Sequence, residues 1–333
     1  MTTRQKKRLR RSLHGWLVLD KPLGMTSTQA VAMVKRILSP EKVGHAGTLD
    51  PLATGILPIA LGEATKTVSY AMDGMKEYIF TVCWGEERDT DDAEGEAIQT
   101  SPARPLQKDI ESRLSQFQGR ISQVPPRFSA IKVQGERAYD IARSGEVIDL
   151  KPREVFIEKL ELIDCPDENT AVFRCECGKG TYVRAIARDL GRLLGCFGYV
   201  TDLRRTRVGA FTLDDAITED AFKAGQNAGN ALDNLLLPVA TVLDDIPALA
   251  MTERDADRLR HGQDVLLRGR DAPHFEGPAY ASCQGELIAL GVLEQGHFLP
   301  TRVFNLKGRA AAVPDNNKET PDVDYARAQA RSC

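Results

Sequence analysis

The order of strand-like and helix-like segments is the feature of this sequence that most constrains its fold. Residues 76–85 alternate apolar and polar side chains, which is typical of a strand with one buried face. Residues 26–40 and 181–195 instead repeat their apolar side chains at helical spacing. These segments follow one another unevenly, without the regular strand–helix–strand units of a parallel sheet. The order therefore predicts an α+β fold with a central, mostly antiparallel mixed sheet flanked by helices.

Local patterns set the expected bounds of individual elements. The helix over 26–40 is capped by Thr26 or Ser27 and ends at Pro40. The acidic run 86–96 is expected to be a loop. The other expected elements are strands over 15–24, around 128–133, over 153–164 and over 170–180, and helices around 108–117 and 136–143.

The helix over 181–195 carries three arginines, Arg184, Arg188 and Arg192, at intervals of four residues. This spacing places them along one face, beside the apolar stripe. A charged helix face is usually solvated, so this pattern alone indicates no function.

Composition divides the chain into four parts. Residues 1–13 form a basic arm that we expect to be flexible, and residues 14–248 contain the predicted elements of the main domain. Residues 249–308 contain short apolar runs separated by glycines, as a small β-barrel does. The polar tail over 309–333 is expected to be disordered.

Charge is distributed unevenly along the 333 residues, although the net charge is only −3. Residues 1–70 contain 11 lysines and arginines against 4 aspartates and glutamates, whereas residues 71–150 contain 10 against 15. A solvated surface is the ordinary explanation of a basic run, but such a run also attracts phosphates. The basic N-terminal segment therefore leaves a nucleic-acid partner open.

Cysteine spacing and the N-terminal sequence indicate the cellular setting. Seven cysteines without a C-x-x-C spacing or a matching histidine pair argue against a zinc site and favour reduced thiols. The apolar run 16–19 is interrupted by Asp20 and Lys21, too early for a signal peptide or a membrane span. We therefore expect a cytoplasmic protein with no metal site and no membrane association.

One carboxylate stands out in the stretch GHAGTLDPLATGILPIALGEATK, residues 44–66. Asp50 lies between a glycine-rich turn and a proline, where aspartate commonly bonds to nearby backbone N–H groups. A phosphate-binding loop is a second explanation, but neither G-x-x-x-x-G-K-[ST] nor G-x-G-x-x-G is present. Residue types alone favour a turn residue and leave a functional acid open.

Five blocks of the sequence together resemble the TruB family of bacterial tRNA pseudouridine-55 synthases. They are the stretch around Asp50, LDKPLGMTS (19–27), KEYIFTVCWGEERDTDDAEGE (76–96), VPPRFSAIKVQGERAYDIARSGE (124–146) and CGKGTYVRAIARDLGRLLG (177–195). The blocks occur in the family's order, and the resemblance covers most of residues 14–308. Ala46 and Thr48 are slight departures from the family motif, and the arm and tail lie outside the resemblance.

The resemblance implies both a fold and an activity. The expected fold is a pseudouridine synthase catalytic domain over 14–248, followed by a PUA-like RNA-binding barrel over 249–308. The implied reaction is the isomerisation of the T-loop uridine of tRNA, at position 55, to pseudouridine with base flipping and no cofactor. We expect a monomer whose partner is the T-arm stem-loop of tRNA.

The family pattern also implies site residues in the matching blocks. Asp50 is the expected nucleophile, and a carboxylate suits this role because it is ionised at neutral pH without a partner base. Arg184 is expected to pair with it, and Tyr78 to stack on the target base and help proton removal. The implied substrate-binding residues are His45, Lys21, Tyr182, Gly47 and Thr48.

Two other functions stay open. A guide-RNA-dependent pseudouridine synthase of the H/ACA ribonucleoprotein type has a related motif, but its members carry a larger C-terminal domain. An RNA chaperone or binding module could keep the fold without catalysis, although the presence of Asp50, Tyr78 and Arg184 argues against binding alone.

Overall fold

The computed structural model describes residues 10–129, 132–133, 136–137, 150–227, 229–268 and 273–306. Most of the basic arm and the whole tail over 309–333 lie outside the described residues. The helix expected around 136–143 lies largely outside them too. Its first two residues form a short strand that pairs with 132–133, so the helix prediction is wrong at that point.

The α-helices of the described residues are α1 Ser27–Leu38, α2 Val68–Asp73, α3 Gln107–Leu114, α4 Val183–Leu193, α5 Glu219–Ala224 and α6 Glu253–Arg260. The 3-10 helices are Gly62–Lys66, Ser115–Phe117, Leu213–Asp215, Gly225–Asn227, Gly229–Leu235 and Val239–Val242.

The strands of the N-terminal half are β1 Gly15–Lys21, β2 Val43–His45, β3 Ala53–Leu61, β4 Lys76–Trp84, β5 Glu86–Arg88, β6 Ala97–Thr100, β7 Gly119–Gln123, β8 Lys132–Val133 and β9 Glu136–Arg137. Those that follow are β10 Arg153–Asp167, β11 Thr170–Cys177, β12 Gly198–Val208, β13 Phe211–Thr212, β14 Ala216–Thr218, β15 Ala248–Ala250, β16 Val265–Leu266, β17 Gly277–Cys283, β18 Glu286–Glu294 and β19 His297–Val303.

The main domain is built on a ten-stranded mixed sheet. Its path runs in the order β14, β1, β3, β12, β4, β11, β10 and β7, while β2 pairs with β3 and β13 pairs with β12. The pairs β1–β14 and β3–β12 are parallel, and the others are antiparallel. This sheet confirms the predicted α+β fold. It also places β12, late in the chain, between two early strands.

Helix α1 begins at the predicted cap. The Thr26 hydroxyl accepts a hydrogen bond from the Gln29 backbone N–H at 3.1 Å, and the Gln29 side chain accepts one from the Thr26 N–H at 2.8 Å. This capping box satisfies two donors at the start of the helix. The buried face packs in the main core through Ala30, Met33, Val34 and Leu38. The start of α1 is thereby fixed beside the loop that carries Asp50.

The prediction of a plain loop over 86–96 is wrong. Strand β5 pairs with β6, so the acidic residues form a hairpin and its turn. Glu87, Asp91 and Asp92 are each at most 5% exposed. They are buried because the arginine face of α4 packs against this hairpin and supplies opposite charges. The same contact shows that this helix face is not simply solvated.

The C-terminal region is a five-stranded sheet in the order β15, β17, β18, β19 and β16. Helix α6 packs on it through a separate apolar core. This β-rich region confirms the fold predicted for the C-terminal part. A second core joins the region to the main domain, because Leu287 and Phe304 pack in the same cluster as Trp16 and Phe211. The domain limits near residue 248 stay a prediction.

Candidate active site

The loop between β2 and β3 carries Asp50 and is held from both sides. The Leu49 N–H donates to Ser27 Oγ at 2.9 Å, and the Ser27 hydroxyl donates to the Leu49 carbonyl at 3.0 Å. The Ala53 N–H donates to the Asp50 carbonyl at 3.1 Å and closes a turn. A single hydroxyl at the start of α1 therefore fixes the peptide groups on both sides of Leu49.

Lys21 lies beneath the same loop and is fully buried. Its Nζ donates to the carbonyls of Met25 at 2.8 Å, Pro22 at 2.9 Å and Pro51 at 3.4 Å. Burial lowers the pKa of Lys21 to about 8, and the charge of Asp50 opposes this shift. Its three carbonyl contacts hold Lys21 under the backbone around Asp50, and it is not among the lining residues of the cavity described below. Its substrate-binding role stays a prediction.

Arg184, near the start of α4, holds Asp50 and the acidic hairpin together. Its Nη2 lies 2.8 Å from Asp50 Oδ2, and its Nη1 lies 3.0 Å from Asp92 Oδ2. The guanidinium also donates to the carbonyls of Thr90 at 2.9 Å and Phe128 at 3.0 Å. The Arg184 side chain is 6% exposed and that of Asp50 is 41% exposed. The arginine is therefore fixed while the Asp50 carboxylate stays open to the cavity.

The next two arginines of α4 continue this arrangement along the hairpin. Arg188 Nη1 lies 2.9 Å from Asp91 Oδ2, and Arg192 Nη2 lies 2.6 Å from Glu87 Oε1. Burial raises the pKa of Asp91 to about 6, although the charge of Arg188 opposes the rise. We call the three arginines and their hairpin partners, Asp92, Asp91 and Glu87, the arginine ladder.

Tyr78 and Lys76 come from the start of β4. Burial raises the pKa of Tyr78, whereas the charge and hydrogen bond of Arg205 on the neighbouring strand lower it. Lys76 Nζ donates to the carbonyls of Met72 and Gly74, the latter at 2.6 Å. Burial lowers the pKa of Lys76 to about 8. These lysine contacts fix the end of α2 at the edge of the site.

Tyr182 immediately precedes α4. Its backbone N–H donates to Gln123 Oε1 at 2.9 Å, and its carbonyl accepts from Gln123 Nε2 at 3.1 Å. Burial raises the pKa of Tyr182, and a hydrogen bond with Ser129 opposes the rise. The two contacts with Gln123 fix the backbone two residues before Arg184.

These elements enclose a cavity of about 290 Å³. Six of the predicted site residues line it together, namely Asp50, Tyr78, Arg184, Tyr182, Gly47 and Thr48. His45 lies at the end of β2, opposite Ile59, and is not among the lining residues of the described chain. The structure therefore brings together the expected nucleophile, arginine and tyrosine, while His45 and Lys21 lie outside the lining.

Sequence reasoning missed several residues of the site. They are Ser27, which holds Leu49, Asp92, which holds Arg184, and the lining residues Lys76 and Arg205. The ladder had a sequence signal, because three arginines at helical spacing match an acidic run elsewhere in the chain. Arg205 had none, since its contacts depend on strand order in the sheet.

Two further features concern ligands and membranes. Within the described ranges, no group of histidine, cysteine, aspartate or glutamate side chains is arranged to hold a metal ion. None of the helices in the same ranges combines the length and apolar character that a membrane crossing requires.

Two family models match the chain. The N-terminal domain of the TruB family pseudouridylate synthases matches residues 35–183, and the tRNA pseudouridylate synthase B C-terminal domain matches residues 184–244. The boundary lies directly before Arg184. Asp50 and the arginine that it contacts therefore come from different matched segments.

Among solved structures, the chain resembles the one described as "Structure of H/ACA RNP bound to a substrate RNA containing 2'-deoxyuridine". The TM-score is 0.68 at 25% identity, covering 88% of this chain and 85% of that one. For the "Crystal Structure of a Cbf5-Nop10-Gar1 Complex" the TM-score is 0.65 at 25% identity, covering 88% and 84%. Both likenesses agree with the pseudouridine synthase fold.

Curated proteins match over nearly their whole length. "tRNA pseudouridine synthase B" of Bradyrhizobium diazoefficiens is 58% identical over 318 residues, covering 94% of this chain and 92% of the relative. The protein of the same name from Brucella melitensis is 50% identical over 319 residues, covering 90% and 98%. With the matching family models and the shared fold, these relatives show that the chain belongs to the TruB family of pseudouridylate synthases.

Proposed function

We propose that this protein is a tRNA pseudouridine synthase that isomerises the T-loop uridine at position 55, with Asp50 as the nucleophile. The observation that carries the proposal is the 2.8 Å contact between Arg184 Nη2 and Asp50 Oδ2 at a cavity that Tyr78 also lines. The tRNA substrate is supported by the names of relatives that are 58% and 50% identical.

Pseudouridine formation breaks the N1–C1′ bond of uridine, turns the base and joins its C5 to C1′. The Asp50 carboxylate forms a transient bond to the nucleotide, either at C6 of the base or at C1′ of the sugar, and is later released unchanged. C5 loses its proton and N1 gains one, so the product is an isomer of the substrate. No cofactor is consumed in this balance.

Arg184 orients the attacking carboxylate through a charge-assisted hydrogen bond. Its other contacts, to Asp92 and two backbone carbonyls, prevent the guanidinium from following Asp50 as the carboxylate moves. This preorganisation keeps one Asp50 oxygen bonded while the other faces the cavity. Such fixed electrostatic contacts account for much of the rate in many enzymes.

The target uridine must leave its loop to reach Asp50, which costs a few kcal/mol of lost stacking and pairing. Tyr78 provides an aromatic surface for the flipped base and a hydroxyl for proton transfer. His45, outside the cavity lining but five residues before Asp50, is suited to fill the gap that the flipped base leaves. Gly47 and Thr48 complete the wall around the nucleotide.

The remaining parts of the chain are proposed to hold the RNA. The basic N-terminal segment contacts phosphates, and the C-terminal five-stranded sheet acts as a PUA-like RNA-binding domain following a catalytic domain over 14–248. Shape and 2′-hydroxyl contacts distinguish RNA from DNA. The enzyme works as a cytoplasmic monomer on the T-arm stem-loop.

The purified protein, given an unmodified T-arm hairpin and no guide RNA, should form pseudouridine at the T-loop uridine. A hairpin with cytidine at that position is the control substrate. Activity that appears only with a guide RNA and partner proteins would favour the H/ACA-type alternative. Tight hairpin binding without any product would favour an RNA chaperone and would overturn the proposed activity.

A further inference from the structure

Arg205 lies at the centre of the main sheet, beside the cavity. Its strand β12 runs between β3 and β4, where Arg205 is opposite Gly55 on one side and Tyr78 on the other. The residue is only 1% exposed, yet it lines the cavity. The steps described above give it no role.

Two backbone carbonyls hold the guanidinium. Nε donates to the Ile56 carbonyl at 2.7 Å, and Nη2 donates to the Gly47 carbonyl at 3.1 Å. Gly47 has a φ of +96°, in the left-handed region that favours glycine. Arg205 thus fixes a turn three residues before Asp50 and, through the same contacts, fixes its own position beside Tyr78.

The charge of Arg205 is not neutralised by an acid. In the part of the chain that the structure describes, no ion pair involves its guanidinium, whereas Arg184 and Arg188 each contact a buried carboxylate within 3.0 Å. A buried cation without an anion is costly. Among the groups on which this charge acts, the Tyr78 hydroxyl lines the cavity on the neighbouring strand, directly opposite Arg205, and also shares a hydrogen bond with it.

We propose that Arg205 is a positioning residue, which orients the Tyr78 hydroxyl and stabilises its negative charge while Tyr78 exchanges protons with the base. This inference rests on the proposed function and adds Arg205 as a second residue that supports the proton transfer by Tyr78. It acts through Tyr78 and does not touch the substrate.

The proton balance shows why a cation is needed there. Tyr78 first gives its phenolic proton to N1 of the detached base, which leaves a phenolate oxygen. Once C5 has bonded to C1′, that oxygen takes the proton from C5, and the electron pair of the C–H bond restores the C5=C6 double bond. Asp50 leaves as a carboxylate with its bonding electron pair, either from C1′ as C5 bonds there or from C6 as the double bond re-forms. Between the two transfers Tyr78 is negative, and a fixed guanidinium stabilises this state.

The deciding variant is Arg205→Lys, which keeps the charge but loses the planar, spread set of donors that reaches the two carbonyls and the hydroxyl from fixed positions. Arg207→Lys is the matched control, because Arg207 lies on the same strand and pairs with Glu176 away from the cavity. Arg205→Met is the stronger variant if it folds. Circular dichroism and thermal unfolding establish that each variant is folded before it is compared.

The first measurement is independent of activity. With tyrosine labelled by ¹³C at Cζ, the Tyr78 signal is identified by its loss in Tyr78→Phe. We expect this signal to shift in Arg205→Lys and to stay in place in Arg207→Lys. An unmoved Tyr78 signal in a folded Arg205→Lys protein would overturn the link between the two residues. This result does not depend on whether the protein modifies tRNA.

The second measurement follows the reaction in single-turnover assays on a hairpin carrying either hydrogen or deuterium at C5 of the target uridine. Arg205→Lys should lower the rate by up to about 100-fold, the cost of a misplaced catalytic group. It should also enlarge the deuterium isotope effect, because removal of the C5 proton becomes slower than the earlier steps. A slower variant with an unchanged isotope effect would show a general structural role and contradict the proposal.

Tyr78→Phe provides the final separation. If Arg205 acts through the hydroxyl, Arg205→Lys should lower the rate much less in the Tyr78→Phe background than in the wild type. Equal loss in both backgrounds would overturn the proposal. If the wild type itself forms no pseudouridine, the proposed function fails, and the labelled tyrosine signal still tests the Arg205–Tyr78 link.

Discussion

Two walls of the cavity hold buried cations in opposite ways. On the α4 side, the arginine ladder pairs each cation with a carboxylate of the β5–β6 hairpin, as Arg188 does with Asp91 at 2.9 Å. On the sheet side, Lys76 and Arg205 are held by backbone carbonyls. Lys21, beneath the Asp50 loop, is held in the same manner.

The two walls contribute different things to the site. Ion pairs of the ladder join segments that are about a hundred residues apart, so their main effect is geometric: they place Arg184 where it meets Asp50. Carbonyl groups satisfy the N–H donors of a cation but leave its charge uncompensated. The sheet side therefore supplies positive potential to a cavity in which a base becomes negative during the proposed reaction.

The largest effect is expected at Asp50, where the two walls meet. Asp50→Asn keeps the shape but removes the nucleophile, so single-turnover pseudouridine formation should fall by at least about 1000-fold. Hairpin affinity should change little. Asp73→Asn is the matched control, because this exposed acid pairs with Lys179 and does not contact Arg184. A folded Asp50→Asn protein with a near wild-type rate would show that Asp50 is a turn residue and not the nucleophile.

The second prediction concerns Arg184, the first arginine of the ladder. Arg184→Lys keeps the charge but loses the planar group that reaches Asp50 and Asp92 together, so the rate should fall by at least about 100-fold. Arg192→Lys, on the same helix face but half exposed, should remain close to wild type. The rates of both variants are measured by single-turnover kinetics. Equal losses of rate would mean that the planar geometry of the Arg184 guanidinium has no special role.

The third prediction concerns stability. Arg188→Met leaves the buried Asp91 carboxylate without its main partner and should lower the free energy of unfolding by about 4 kcal/mol. The double variant Arg188→Met/Asp91→Asn should recover part of this loss, because the unpaired charge is gone. Urea unfolding monitored by circular dichroism measures both. A double variant no more stable than Arg188→Met would show that packing, and not charge, sets the cost.

The smallest effect is a pH dependence of the ladder. Burial raises the pKa of Asp91 to about 6 in the folded protein, above its ordinary value of 3.8. As the pH falls from 6 to 4, the folded protein takes up a proton that the unfolded chain does not yet bind. Wild type should therefore gain stability relative to Asp91→Asn in this window, by at most about 3 kcal/mol.

The measurement is urea unfolding of both proteins at several pH values between 4 and 7. The gain should be complete near pH 4 and absent above about pH 7. A difference that stays constant, or that changes in the opposite direction, would mean that Asp91 remains ionised throughout and that Arg188 outweighs burial.

Local patterns in the sequence were enough for most of the elements. The cap at Thr26, the alternation in β4 and the apolar stripe of α4 all lie within one element, so periodicity and capping chemistry reveal them. The prediction of a plain loop for the acidic run failed because the burial of that run depends on helix α4, which lies about a hundred residues away in the sequence. The sequence shows where acids and arginines lie along the chain, but it does not show which of them face each other in the fold.

The site residues that could be predicted from the sequence are those that lie in the blocks resembling the family. The resemblance located Asp50, Tyr78, Arg184 and Tyr182, and these side chains meet at one cavity. It did not reveal Arg205, whose contacts arise from the crossing of β12 between β3 and β4. It also implied a substrate-binding role for Lys21, which the structure holds under the backbone around Asp50. A motif shows that a lysine is near the site but not on which side of the backbone it lies.

The position of β12 also has a consequence for synthesis of the chain. Strands β3 and β4 leave the ribosome more than a hundred residues before β12, which must later enter between them. Until then both strands expose unpaired edges, and the cavity does not yet contain both Arg184 and Arg205. Contacts between residues so far apart in sequence form slowly, and open edges invite wrong pairing. A nascent chain of this protein is therefore most exposed to aggregation, and still without its active site, until about its two-hundredth residue has emerged.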